Sequence, residues 1–254
     1  QKSTGDGITI SNSITTSGSQ TYTGAVQLSS DLTLTTSNGA VLFSSAVDNS
    51  STTPRALTIA SGSGNVTLTG AVGGGANGPL GAIIVNSTGT TAFSSAVTAA
   101  SVTTNAGGTV SLGGNVTTTG NQTYNDAMVL TGNVVLNAPA VTTASTIAAG
   151  TYNLTITTDA ISLGSNLTGT GALVIQPKTA STTVAVGSSA AGTLALSDTA
   201  LTYINDHFSS ITIGSTSGTG ALAVDYSAAS FAFTNPLVLR SGTGNITAID
   251  TLRA

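Results

Sequence analysis

"ITTSGSQTYTGAVQLSSDLTLT" fills residues 14–35, and "VTTTGNQTYNDAMVLTGNVVL" repeats its design at 116–136, 102 residues further on. Thr15/Thr117, Thr16/Thr118, Gly18/Gly120, Gln20/Gln122, Thr21/Thr123, Tyr22/Tyr124, Ala25/Ala127, Leu28/Leu130 and Leu34/Leu136 are identical. Three more echoes accompany this one. "FSSAV" stands at 43–47 and 93–97, "GTGAL" at 169–173 and 218–222, and "SGSGNVT" at 61–67 returns as "SGTGNIT" at 241–247. The offsets of 50, 49, 102 and 180 lie near multiples of a unit of about 25 residues, a period that reads as a solenoid, propeller or array. On this reading Tyr22 and Tyr124 occupy equivalent places on coils four turns apart.

Composition selects the secondary structure. Ser and Thr account for 81 of 254 residues, Gly for another 31, and only 14 side chains are formally charged: two Lys, three Arg and nine Asp, with no Glu. Helix surfaces draw on Glu, Lys, Arg and Gln, which are scarce here. Val, Ile and Thr are stiff at χ1 and suit a pleated, half-buried surface. Disorder requires low hydrophobicity and high net charge, whereas this chain is 39% hydrophobic with a net charge of −4. The class is all-β.

Short apolar–small–apolar words recur along the chain. Among them are "ITI" (8–10), "LTL" (32–34), "LTI" (57–59), "VSL" (110–112), "LVI" (173–175), "VAV" (184–186), "LAL" (194–196), "FAF" (231–233) and "LVL" (237–239). This alternation points two side chains inward and one outward. Turn words such as "SNG", "SGSGN" and "TGTG" separate them. Strands this short cannot stand as independent hairpins. They fit a right-handed parallel β-helix, whose coils stack through backbone hydrogen bonds with Val, Ile and Leu inside. About ten coils of about 25 residues predict a single solenoid domain over 1–254, roughly 50 Å long at a coil spacing of about 4.8 Å. A propeller is the alternative, but its blades carry aromatic signatures and the chain has no Trp. In "SDTALTYINDHF", Leu201, Ile204 and Phe208 fall at helical spacing, and Asp198 or Thr199 can cap a short helix over 198–208.

The repeat words resemble those of the filamentous-haemagglutinin-like giant adhesins, bacterial surface proteins and exoproteins built on β-solenoids. Residues 14–35 look like their T-x-G-x-Q-T-Y-x-G-A-V-x-L repeat. Residues 116–136 are a degenerate copy, with Asp126 where Gly is usual and Met128 where Val is. "LSDTALTYINDHFSSITIG" (196–214) resembles a second element of such proteins, an L-[ST]-D-x-x-L segment leading into "TIG". The resemblance implies adhesive, filament or exoprotein roles and carries over no catalytic residue.

The chemistry-bearing residues are few. Carbohydrate-cleaving β-helices need clustered carboxylates. Here Asp6, Asp31, Asp48, Asp126, Asp159, Asp198, Asp206, Asp225 and Asp250 include no D-x-D or D-D pair, and they sit mostly in turn words where they cap backbone groups. Neighbours two coils apart could align, as Asp198 and Asp250 nearly do at an offset of 52. His207 is the sole histidine; beside Asp206, Ser209 and Ser210 it could suggest a hydrolytic triad, but no G-x-S-x-G elbow is present. "GGGANGPLG" (73–81) lacks the G-K-[ST] ending of a phosphate loop, and the G-G-x-G-x-D calcium repeat is absent. We therefore assign no catalytic, cofactor-binding or metal-binding residue.

Five scattered basic residues leave no electrostatic footprint for nucleic acid or anionic lipid. No apolar run reaches the length of a membrane helix, so membrane insertion is not expected. There is no cysteine for a disulfide framework. Low charge, no cysteine and a Thr/Ser/Asn surface suggest an exported, extracellular or surface-bound segment, and the opening "QKSTGDGITI" reads as a mature product or a piece of something longer. The expected partners are other copies or flanking coils through the solenoid ends, and cell-surface glycans. A shaft for adhesion is the leading expectation and an end-to-end filament its alternative. Ice binding would need a Thr ladder on consecutive coils; "TLT" (33–35), "TLT" (67–69) and "TIT" (155–157) stand 34 and 88 residues apart, which argues against one. Inserted loops at 48–55 and 73–81 and the helical element at 198–208 are the candidate binding surfaces, because loops on rigid scaffolds carry recognition. Eight N-x-[ST] sequons, at Asn49, Asn65, Asn86, Asn115, Asn121, Asn153, Asn166 and Asn245, mark glycosylation only in a host that uses them.

Overall fold

The computed structural model describes residues 7–187, 190–205, 207–225, 233 and 235–248. Short strands wind into three stacked ladders, and every strand pairing is parallel. The first ladder runs Ile8, Val26, Val47, Val72, Val97, Val116, Leu136, Ile156, Ile175, Ile213, Leu239. The second runs Ile14, Leu34, Ile59, Val85, Thr104, Tyr124, Thr143, Leu163. The third runs Gln20, Val41, Val66, Thr91, Val110, Met128, Ile147, Leu167, Ile204. From Ile8 to Leu167 each coil visits the ladders in turn, so the chain is a parallel β-helix, and the first ladder makes ten coil steps between Ile8 and Leu239. Beyond Leu163, Leu194–Leu196 lies against Leu154–Leu163 and opens a four-stranded sheet with Val184–Val186, Leu222–Val224 and Ile246–Ala248.

The alternation read from the sequence is what builds the wall. Ile8–Ile10, Gln20–Tyr22, Val26–Leu28 and Leu194–Leu196 are buried at both ends and exposed between. All the strand words quoted above lie in strands except "FAF", whose Phe231 and Ala232 fall outside the described residues. Buried side chains from all three ladders form one hydrophobic cluster running from Ile8 to Val224.

Coil length is not constant. Steps on the first ladder are 25 residues from Val47 to Val72 and Val72 to Val97, 18 to 26 elsewhere, and 38 between Ile175 and Ile213, where Val184–Val186, Leu194–Leu196 and the helix are inserted. "FSSAV" therefore spans two coils: Phe43 pairs with Leu68, and Leu68 with Phe93. The opening repeat does not behave this way. Gln20–Tyr22 lies on the third ladder and Gln122–Tyr124 on the second, so Tyr22 and Tyr124 are not equivalent. What the two copies share is a corner. In each, a Thr hydroxyl donates to the Gly carbonyl two residues on, at 2.6 Å (Thr16 to Gly18, Thr118 to Gly120). In each, the Gln amide donates to that same hydroxyl and to two carbonyls, while its Oε1 accepts from the Tyr hydroxyl. The word specifies a turn between faces and serves at two different corners.

The helix covers Asp198–Tyr203, shorter than the 198–208 expected, and its cap is Ser197, whose hydroxyl accepts from the Ala200 amide at 3.2 Å. Ile204 ends the helix by pairing with Leu167, and Phe208 is fully buried.

Candidate functional site

Three surfaces stand out: a loop knot, a hydroxyl ladder and the row of polar corners. In the knot, two of the three expected binding segments come together. Asp48 accepts from the Gly75 amide at 2.8 Å. Asn49, wholly buried, donates to the Pro79 carbonyl at 2.8 Å and accepts from the Arg55 amide at 2.9 Å. Asn77 donates back to the Asn49 carbonyl at 2.7 Å. Gly73 makes the entry possible, because its φ of +67° puts any Cβ against the Thr98 carbonyl. The helix stands apart, at Leu167, four rungs beyond Thr91 on the third ladder.

The "TLT" and "TIT" words do lie apart, with Thr33 on the second face, Thr67 on the third and Thr155 on the first, but other residues build a hydroxyl ladder that their spacing did not disclose. Thr33, Thr58, Ile84, Thr103, Thr123, Thr142 and Ser162 pair in succession on the outer side of the second face. Six of these seven consecutive rungs present a hydroxyl, and Ile84, 36% exposed, is the exception. Unequal corner lengths hid this register from the sequence.

The corners account for much of the polar inventory. Asn side chains accept backbone N–H groups from the next coil: Asn38 from Ser63, Asn65 from Thr90, Asn115 from Val135, Asn133 from Asn153, and Asn153 from Ala172, all at 2.8 to 3.0 Å. Three of these sit in a "GNV" word, Gly64–Val66, Gly114–Val116 and Gly132–Val134. The recurrence of this word is the sequence signal that marks a capping Asn. Asp31 does the same for Ala56 at 3.0 Å. Asp159 is the most heavily used, accepting from the Lys178 and Thr179 amides and from the Thr179 and Thr182 hydroxyls. Asp198 opens the helix. Asp6, Asp206 and Asp250 lie outside the described residues, and with them the Asp198/Asp250 alignment and the Asp206–His207 pairing; His207 itself is exposed. Among the described residues no group of three or more His, Cys, Asp or Glu converges on a point, and no helix is long and apolar enough to cross a membrane. Of the sequons, Asn49 is sealed inside the knot, and Asn65, Asn115 and Asn153 act as caps.

Partial burial opposes the Asp159 charge, but the hydrogen bonds from Thr179, Thr182 and Lys178 outweigh it and hold its carboxyl below the ordinary value. A depressed folded value contributes stability above the unfolded value of about 3.9 that is lost as pH falls through the folded value. Asp159→Ala should cost about 1 kcal/mol near neutrality, the worth of a side-chain cap. In denaturant unfolding the difference from wild type should close below about pH 4.

Taken together, fold and corners define a parallel β-helical rod whose corner Asn, Gln and Asp side chains are committed to its own backbone. No known family model, curated protein or solved structure matches the chain.

Proposed function

We propose that this chain is a non-enzymatic structural and adhesive segment of an exported bacterial surface protein, a rigid shaft that holds or presents binding surfaces. The observation that supports this most directly is the first ladder, which runs through ten coil steps from Ile8 to Leu239 without a break in pairing. Asp31, Asp48 and Asp159 are tied up in backbone caps, which favours a scaffold over a catalyst. The resemblance of residues 14–35 and 116–136 to adhesin repeats points the same way. The shaft offers the loop knot at 48–55 and 73–81, and the second face, to glycans or other surface partners.

Negative-stain electron microscopy across a concentration series tests this reading. Discrete rods of about 50 Å, the length ten coils span, support a shaft. Fibres that lengthen with concentration support the alternative, a subunit that joins end to end. Compact globules overturn both.

A second reading, ice binding, is favoured by the hydroxyl ladder from Thr33 to Ser162 on consecutive rungs. Thermal hysteresis and ice-recrystallisation assays on the purified chain decide it: activity abolished by Thr103→Lys with Thr123→Lys supports the ladder, and no activity in the wild type removes the reading.

A further inference from the structure

We infer that Asp126 makes the turn over 104–108 a proton-gated corner, closed by the neutral carboxyl and loosened when that carboxyl ionises. Consecutive side chains of one coil clamp both ends of this turn on the coil before it. Asn125 donates to the Thr104 carbonyl at 2.7 Å, and Asp126 Oδ1 accepts from the Gly108 amide at 2.7 Å. Between them the chain passes through Gly107 at φ +105°.

Asp126 is 2% exposed. Its second oxygen, Oδ2, has no hydrogen-bond partner, and neither does the buried Thr104 hydroxyl. That hydroxyl is near enough to favour the anion weakly, without hydrogen-bond geometry. Burial dominates and pushes the carboxyl above its ordinary range, against the pull of Gly108 and Thr104.

Among the described residues, the strands packed around the corner are Leu80–Ser87, Thr90–Phe93, Val97–Thr104, Thr109–Leu112, Gln122–Tyr124, Ala127–Leu130 and Val134–Thr143, and their only titratable side chain is Tyr124. Tyr124 is buried, donates to Gln122 and is pushed further up, so it stays neutral. Lys178 is engaged on the first face, by the Thr118 carbonyl and Asn137. The first copy of the repeat carries Gly24 at this position and so has no such carboxyl.

A buried anion with an unsatisfied oxygen gains hydration only if the turn lifts. With the folded value raised, the stabilising contribution is complete below the unfolded value of about 3.9 and is lost as pH rises through the folded one. Each unit of displacement is worth about tenfold in the opening equilibrium.

Hydrogen exchange at a series of pH values, corrected for intrinsic base catalysis, reads that opening in the 105–109 segment. In the wild type the corrected opening should rise about tenfold per unit of displacement between pH 4 and 7. In Asp126→Asn, which keeps an acceptor for Gly108 but cannot ionise, the profile should be flat. Should that variant not fold, a carbon-13 titration of the wild-type carboxyl decides alone. The same pH profile in both proteins, or a carboxyl titrating at its ordinary value, overturns the inference.

Discussion

Gly64→Ala should lower stability by about 3 kcal/mol, at the upper end of what overpacking costs, whereas Gly18→Ala should change it by less than about 0.5 kcal/mol. Both glycines belong to one column at the corner between the second and third faces, comprising Gly18, Gly39, Gly64, Gly89 and Gly108. Coils stack about 4.8 Å apart, and a corner whose Cα points along the axis leaves no room for a side chain. A Cβ on Gly64 would collide with the Gly39 carbonyl, and one on Gly39 would lie 2.5 Å from the Gly18 carbonyl carbon. The obstacle in each case is the backbone of the preceding coil, so no rotamer change relieves it. Lifting Gly64 instead would pull on Val66, two residues on, which is paired with Val41 below and Thr91 above. Gly18 has nothing within 4 Å of its Cβ position. Its substitution also removes chain entropy from the unfolded state, which offsets any small loss. Thermal unfolding by circular dichroism should show a drop of about 6–12 °C for Gly64→Ala and almost none for Gly18→Ala. Equal shifts would mean that the column is not what sets coil contact.

The same column explains which parts of this fold were legible in sequence. Strand words follow from alternation, a period-two property that survives any corner length, so Ile8–Ile10, Leu173–Ile175 and Leu194–Leu196 could be read directly. Helical spacing at Leu201 and Ile204 likewise disclosed the helix, although Ser197, one residue before the expected Asp198, is its cap. Register was not legible. It depends on how many residues each corner consumes, and corners range from the tight turn at Gly18 to the knot at Gly73–Pro79. Hence the Thr ladder on the second face looked irregular in sequence while being in register in space. The corner words were visible but misread: their Asn, Gln and Gly residues encode hydrogen bonds to the adjoining coil, and those recur wherever a turn is needed. The loop knot could not be foreseen because Asn49 and Pro79, 30 residues apart, meet only once the coils stack.

The two copies of T-x-G-x-Q-x-Y supply the second large effect, because one word meets two environments. Gln122→Ala should cost about 3–4 kcal/mol, combining a core cavity with orphaned polar groups. Gln20→Ala should cost about 1–2 kcal/mol, since water can replace much of what is lost. Gln122 is wholly buried; its Nε2 donates to the Val116 carbonyl at 2.9 Å and the Asn137 carbonyl at 3.2 Å, and its Oε1 accepts from Tyr124 at 3.1 Å. Coils pair with it on both sides, through Val102 and Val141. Removing the amide strands the Tyr124 hydroxyl in an apolar interior, and neither neighbouring coil can fall inward without breaking its ladder. Gln20 makes the same bonds, to the Ile14 and Thr35 carbonyls and from Tyr22. Among the described residues, however, its strand pairs only with Val41–Phe43, and an open pocket bounded by Ile14, Thr16, Ser19 and Tyr22 lies beside it. Tyr22 also rests on Phe43, ring centroids 4.8 Å apart, and so keeps its main apolar contact when its hydroxyl loses a partner. Denaturant unfolding of the two single variants measures the contrast, with Tyr22→Phe and Tyr124→Phe isolating the hydroxyl. If the Gln20 and Gln122 variants lose equal stability, the word acts through local turn geometry alone and the surrounding coils contribute nothing. If the Gln122 variant loses twice as much or more, stacking turns a local turn word into a fixed joint of the rod.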